Sequence, residues 1–508
     1  MATTLVWLFT LTLPDGTVYK AATRPTKVTS IGGTPHAYDL TLTSSPTYVE
    51  EVDLFSLDAS ASFQQAQISF LTTADFAALM ADWRWITSSR GELAVLINNA
   101  TYEDRRILLA DGRVQNLQVG LSGEKTTLVL EGIGALSGAT IGGDSTDLGD
   151  VWTDPLTDTV AASVSSLVGR KRIFVYGNPN RVPAYKVGDV GGTDRLVLCG
   201  HVLPNLGTVL VYEDAGAGFS FIPATTANTG GDYSYVTSAT AFRGADGGYT
   251  WDASRGGINA ADDLTSPALR ASGVLERLLV DSGEVIDWRS MEETLMRLDR
   301  FQCGFWVDEE VGALDLIRER MVPVFPLVEV MGPHGLYFAY SDPHVREPEV
   351  VLTEGQQLKR LGRMTFSDAD ATFNEFTVNY DYNAQAGTYE GAVTIDKDND
   401  AVCYLAHQLA QSKTRAAKIL KTAAIKDKAT AYAVLRAQAS RLALQRRQLT
   451  YLAALDVLEQ VRAGQVFTLN SPTWGISNAK AVIRSITYAE PALTLQVDLI
   501  DRTFNSRR

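Results

Sequence analysis

Val6-Trp-Leu-Phe-Thr-Leu-Thr-Leu-Pro-Asp-Gly-Thr-Val-Tyr19 reads as two strands joined by a tight turn. Residues 6–13 are apolar or β-branched, and residues 17–22 resume that character after Pro14-Asp15-Gly16, where glycine supplies the positive φ of a hairpin. Working outward, strand-like stretches recur at 39–43, 52–57, 66–70, 93–97, 106–109, 114–119 and 126–130. Asp111-Gly112 and Ser122-Gly123-Glu124 mark turns between the last three. One helix interrupts them over about 73–87. Phe76, Leu79, Met80 and Trp83 make a single apolar stripe, and Thr72 or Thr73 can cap its free N–H groups. Short strands, regular turns and one helix predict a β-barrel with a flanking helix over residues 1–140.

The remaining chain divides by composition. Small, acidic and turn-forming residues over 136–160 mark a boundary, and a β-rich insertion follows over 141–262. Its strands are expected at 173–176, 185–187, 196–198, 209–212 and 219–222, with loops and ragged strands over 224–259. Residues 263–345 read as a helical and hairpin subdomain. Ser266-Pro267 opens a helix lined by Leu269, Leu275, Leu278 and Leu279 and ended by Gly283; Ser290 with Glu293 opens a second, burying Met291, Leu295 and Leu298. A hairpin is expected from 305–307 and 314–317 around 308–312. Residues 346–508 return to β structure, with strands at 373–382, 448–455, 465–469, 479–488 and 493–500, and enclose a helical stretch over 400–447. The fold class is α+β, mainly β, and multidomain.

Of the 508 residues, 45% are hydrophobic and 20% charged, values of a folded chain long enough for several cores. Cys199, Cys303 and Cys403 are odd in number and far apart, so neither a disulfide framework nor a zinc site is expected, and synthesis in a reducing cytosol fits. No basic, apolar leader opens the chain and no apolar run reaches the length of a membrane span.

The net charge of −14 argues against binding nucleic acid with the whole surface. Its distribution is uneven: Lys413, Arg415, Lys418, Lys421, Lys426, Lys428, Arg436, Arg441, Arg446 and Arg447 face the single Asp427, so residues 413–447 carry +9 and the rest of the chain −23. The segment reads either as a solvated helix whose long side chains cover apolar surface or as a self-association or channel-lining surface, for which Lys413, Arg415, Lys418, Lys421, Arg436, Arg441, Arg446 and Arg447 are the candidate basic residues between subunits. Aromatic residues are not interleaved with these charges, so sequence-specific nucleic-acid binding is not expected.

Motifs of catalysis are missing. Gly120-Leu-Ser-Gly-Glu-Lys-Thr126 lacks the glycine before lysine that a phosphate loop requires and sits between strands, which makes it a hairpin turn. Asp396-Lys-Asp-Asn-Asp400 opens like a calcium loop, but Ala401 takes the place of the required glycine and His407 that of the bidentate Glu. It reads as a solvated acidic turn, with a weak cation site as the alternative. The five histidines are scattered. No catalytic, cofactor or metal residue is assigned.

Four stretches resemble the baseplate or tail hub proteins of tailed bacteriophages and of gene transfer agents. They are the opening 6–19; Arg172-Ile-Phe-Val-Tyr-Gly177 with 182–185 and 207–216; Ala271–Gly283 with Trp288 and Phe305-Trp-Val307; and Val461-Arg-Ala-Gly-Gln-Val-Phe-Thr-Leu-Asn-Ser-Pro472 with 479–488 and 493–501. Phage hubs usually carry Gly-Asp where this chain has Gly464-Gln465. The resemblance implies two tail-tube-like β-barrels, at 1–140 and 346–508, in a non-enzymatic homotrimer. Such a trimer adapts the sixfold tail tube or distal tail ring to threefold tip or fibre proteins, contacts the tape measure protein, and closes the channel until genome ejection. The implied location is the virion tail tip or baseplate, after synthesis in the host cytoplasm. A lumen that passes DNA would be acidic, with 413–447 at protein contacts. A receptor- or carbohydrate-binding tail protein and a tail-associated hydrolase are the alternatives.

Overall fold

The computed structural model describes residues 5–500 apart from internal stretches, the longest being 56–61, 78–88, 98–106, 133–139, 149–172, 200–209, 239–248, 253–269 and 410–415. The opening hairpin forms as its residues dictate. Leu5–Thr12 pairs with Val18–Ala22, Leu11 opposite Tyr19. Gly16 holds φ +85°, and the Asp15 carboxylate accepts the Thr17 N–H at 2.8 Å. Both faces of the first strand are covered: Trp7, Phe9 and Leu11 enter one core, and Val6 and Leu8 another with Leu96 and Tyr38.

Strands from both ends of the chain share one 15-stranded sheet. Its path runs Leu358–Arg360, Arg447–Ala453, Ala492–Leu499, Ile476–Ala489, Thr47–Val52, Ser62–Leu71, Lys125–Gly132, Ile107–Gln118, Arg90–Ile97, Leu5–Thr12, Val18–Ala22 and Leu40–Thr41, with three further strands off this path. The described strands close no barrel; the expected pair of β units appears as two stretches of one path. They meet at a seam where Tyr48, Val49, Glu50 and Glu51 lie opposite Tyr488, Thr487, Ile486 and Ser485. The core beneath is equally shared: Trp7, Phe70 and Leu128 belong with Tyr451, Ile483 and Leu495, and the Trp7 and Tyr488 rings lie 4.8 Å apart.

A second core joins the middle of the chain to its later part. Helices Ala271–Ser282 and Trp288–Leu298 contribute Leu275, Leu278, Met291 and Leu298; helix Lys428–Leu442 contributes Val434 and Leu435; strands Glu375–Asn383 and Thr388–Ile395 contribute Phe376, Val378 and Val393. Within the expected insertion, strands between Val182 and Asp252 form a seven-stranded sheet with its own core around Val182, Leu196, Leu198 and Val211.

Several expectations need correction. Asp111-Gly112 is no turn: Ile107–Gln118 is one strand, because the Asp111 carboxylate is taken by Arg90 on the neighbouring strand. The strand expected at 52–57 ends at Val52, where Asp53 turns the chain by accepting the Phe55 N–H. The region 224–259 includes strands as expected, at Thr225–Gly230, Tyr233–Ser238 and Tyr249–Asp252. The second helix starts at Trp288, not Ser290, since Asp287 caps the Ser290 N–H. No hairpin joins 305–307 to 314–317. Gly304–Val307 pairs with Phe174–Gly177, and 313–321 is helical. Helix 73–87 begins as expected, Thr73 Oγ1 accepting the Phe76 N–H, but 78–87 lie outside the described residues, as do Ser266, Pro267 and Leu269.

Candidate functional site

The basic segment is not one helical stretch. Helix Ala401–Leu409 is followed, beyond 410–415, by the strand Ala417–Lys421 and then by helix Lys428–Leu442. Ala, Lys and Leu favour helix, but 417–421 pairs in parallel with Glu375–Asn383, Ile419 opposite Thr377, and tertiary pairing overrides propensity. Each helix is started by an aspartate. Asp400 accepts the Val402 and Cys403 N–H groups at 2.9 and 3.1 Å, and Asp427 the Thr430 N–H at 2.8 Å.

The eight cations of the expected subunit surface separate into groups. Lys413 and Arg415 lie outside the described residues. Lys421 and Arg436 are exposed, Arg436 near Asp400 at 3.7 Å and over the Tyr432 ring. Lys418 and Arg447 are half-buried, with Lys418 over Phe373. Arg441 and Arg446 correct the expectation, because each is committed inside the chain. Arg441 is 4% exposed and donates from Nε to the Leu54 carbonyl at 3.1 Å; burial pulls its pKa down to about 10. Arg446 stacks 3.8 Å from the Phe55 ring centre with Asp498 at 3.7 Å, and burial lowers its pKa too. Both hold the Asp53–Phe55 turn of the N-terminal half against the C-terminal half. A run of basic residues gives no sign of which members point inward. The nearest signal is Leu54-Phe55, two large apolar residues just after a strand.

The chemistry of the remaining motifs resolves locally. Gly120–Thr126 is a turn between strands, Glu124 Oε2 accepting the Leu121 N–H. In the Asp396–Asp400 turn, Asp396 accepts the Asp398 N–H, Asp398 pairs with Lys397, and Asp400 caps the helix. The turn borders a cleft of about 440 Å³ lined by Asn374, Glu375, Thr377, Thr394, Asp396, Lys397, Asp398 and His407. The Thr377 and Thr394 hydroxyls there bond to each other at 2.8 Å. Among the described residues no three His, Cys, Asp or Glu side chains converge to hold a metal ion, and no helix is long and apolar enough to cross a membrane. Cys199, Cys303 and Cys403 are buried thiols.

No family model and no curated protein matches the chain. Among solved structures it is similar to the tail protein from Neisseria meningitidis MC58, at 10% identity and TM-score 0.36, covering 97% of this chain and 96% of that one. A likeness of the same kind links it to the 43 kDa tail protein of prophage MuSo2 from Shewanella oneidensis, at 9% identity and TM-score 0.34, covering 97% and 98%. A chain of the gene transfer agent virion is similar over 66% of this chain and 85% of its own, at 11% identity and TM-score 0.42.

Proposed function

We propose that the chain is a structural, non-enzymatic hub of a phage tail tip or baseplate, acting as a homotrimer. In the trimer the two β halves of each copy stand side by side, so three chains offer six β units to the sixfold tail tube or distal tail ring. Threefold tip or fibre proteins bind the opposite side, the tape measure protein enters from above, and the ring closes the channel until genome ejection. The seam carries this reading. Strands 47–52 and 476–489 run antiparallel in one sheet, so a single chain sets two β units in fixed register, as threefold-to-sixfold adaptation requires. The four stretches that resemble phage hubs support the same reading.

Lys421 and Arg436, with the half-buried Lys418 and Arg447, are offered as part of the contact between copies, facing acidic surface of the neighbour. Light scattering of the full chain, alone and mixed with isolated tail rings, tests the reading. A trimer that seats coaxially on a sixfold ring is expected; a monomer that binds no ring overturns it.

A further inference from the structure

We propose that the seam between the two halves is a proton-dependent joint, held tighter when the buried carboxyls Glu50 and Asp498 are protonated. They occupy the two strands that flank Ile476–Ala489, Glu50 opposite Ile486 and Asp498 opposite Val482. Proton uptake at either therefore acts on the strand by which the C-terminal half reaches the N-terminal half.

Each carboxylate accepts hydrogen bonds, but neither has a cation at hydrogen-bond distance among the described residues. Glu50 is 3% exposed; the Tyr48 hydroxyl donates to Oε2 at 2.7 Å and the Ala463 N–H also reaches it. The nearby cation, Arg462, spends its guanidinium on the Leu458 and Val461 carbonyls. Tyr337 faces Glu50 from strand Gly335–Tyr340, with Arg346 and Asp287 beyond it. Asp498 is 2% exposed, its Oδ1 without a donor and its Oδ2 3.7 Å from Arg446 Nε, too long for a hydrogen bond. The Gln448 side-chain amide, opposite Asp498 in the ladder, donates to the carboxylate, and Arg484 and Asp53 lie nearby. A buried carboxylate without a directly contacting cation is costly when ionised. Burial pushes both carboxyls above their ordinary range, and the arginines offset that only in part.

A carboxyl whose folded pKa exceeds its unfolded value stabilises the fold fully below the unfolded value, and that contribution is lost as pH rises through the folded one. Glu50→Gln and Asp498→Asn, made separately in the full chain, mimic the protonated forms at any pH. Native hydrogen exchange at pH 8 should show the amides of 48–51 and 485–488 slowed about tenfold relative to wild type for each unit by which the pKa is raised. The gap should shrink at pH 4.5, and the ladder of Leu5–Thr12 with Arg90–Ile97 should not respond. Equal or faster seam exchange at pH 8, or a gap unchanged by pH, overturns the joint. So does loss of folding in both variants, because the ionised forms would then be what the seam needs. If one variant alone fails to fold, the other decides, since the carboxyls sit on different strands.

Discussion

Two residues show how single side chains fix the joins between parts. Gly177 ends the strand by which the insertion pairs with Gly304–Val307, at φ +62°, and a Cβ there would run into the Cys303 carbonyl oxygen. Backbone cannot retreat as a flexible side chain can, so Gly177→Ala should cost about 2–3 kcal/mol in urea unfolding. It should also loosen the insertion first, visible as new protease cuts between residues 178 and 262. Asp111 makes the second case. Its carboxylate is nearly buried in the middle of a strand and is held in a two-point pair by Arg90, half of which faces water. Arg90→Met keeps the stem but leaves the carboxylate unpaired, and should destabilise by about 2 kcal/mol. Asp111→Asn should cost less, and Arg90→Met in that background should cost little more, a coupling that a double-mutant cycle measures.

At the scale of elements, Asp427 decides where the longest described helix begins. Its carboxylate takes the Thr430 N–H, and Asp427→Ala should cost about 1 kcal/mol in chemical denaturation, with Asp427→Asn retaining most of the stability. Such local chemistry was readable in the sequence where the residues themselves close the structure. Pro14-Asp15-Gly16 turned as its φ requirement demands, and Gly283 stopped its helix at φ +67°. Legibility ended where a distant partner decides. Asp111-Gly112 looks like a turn until Arg90 is alongside, and Ala417-Lys-Ile-Leu-Lys421 looks helical until Glu375–Asn383 offers it a parallel ladder. The same limit applied to the basic segment. Arg436 and Arg441 are five residues apart on one helix, yet one faces water and the other is sealed beneath Leu54. Charge is counted from sequence, but which cations remain at the surface follows only from packing.

For the whole molecule, the sorting of those cations separates folding from assembly. Lys421 and Arg436 are exposed, and the Arg436–Asp400 approach of 3.7 Å is an open pair worth little. Lys421→Glu with Arg436→Glu should therefore leave unfolding of the single chain within about 0.5 kcal/mol of wild type. Each reversal removes two charges, taking the chain from −14 to −18. If these side chains bridge copies in the proposed trimer, self-association should weaken by at least about tenfold in dissociation constant, and added salt should narrow the difference from wild type because screening erases the penalty. Analytical ultracentrifugation over a salt series reads both effects. Phe55→Ala supplies the opposite profile. Phe55 sits under Arg446 in a core that joins Val52 and Leu54 to Val466, Val482 and Ile500, so its truncation should cost about 3–4 kcal/mol of folding. Association measured on the folded fraction should not change. An unchanged dissociation constant in the charge-reversed protein would remove these two cations from any contact between copies, leaving the seam and its shared core as what joins the two halves of each chain.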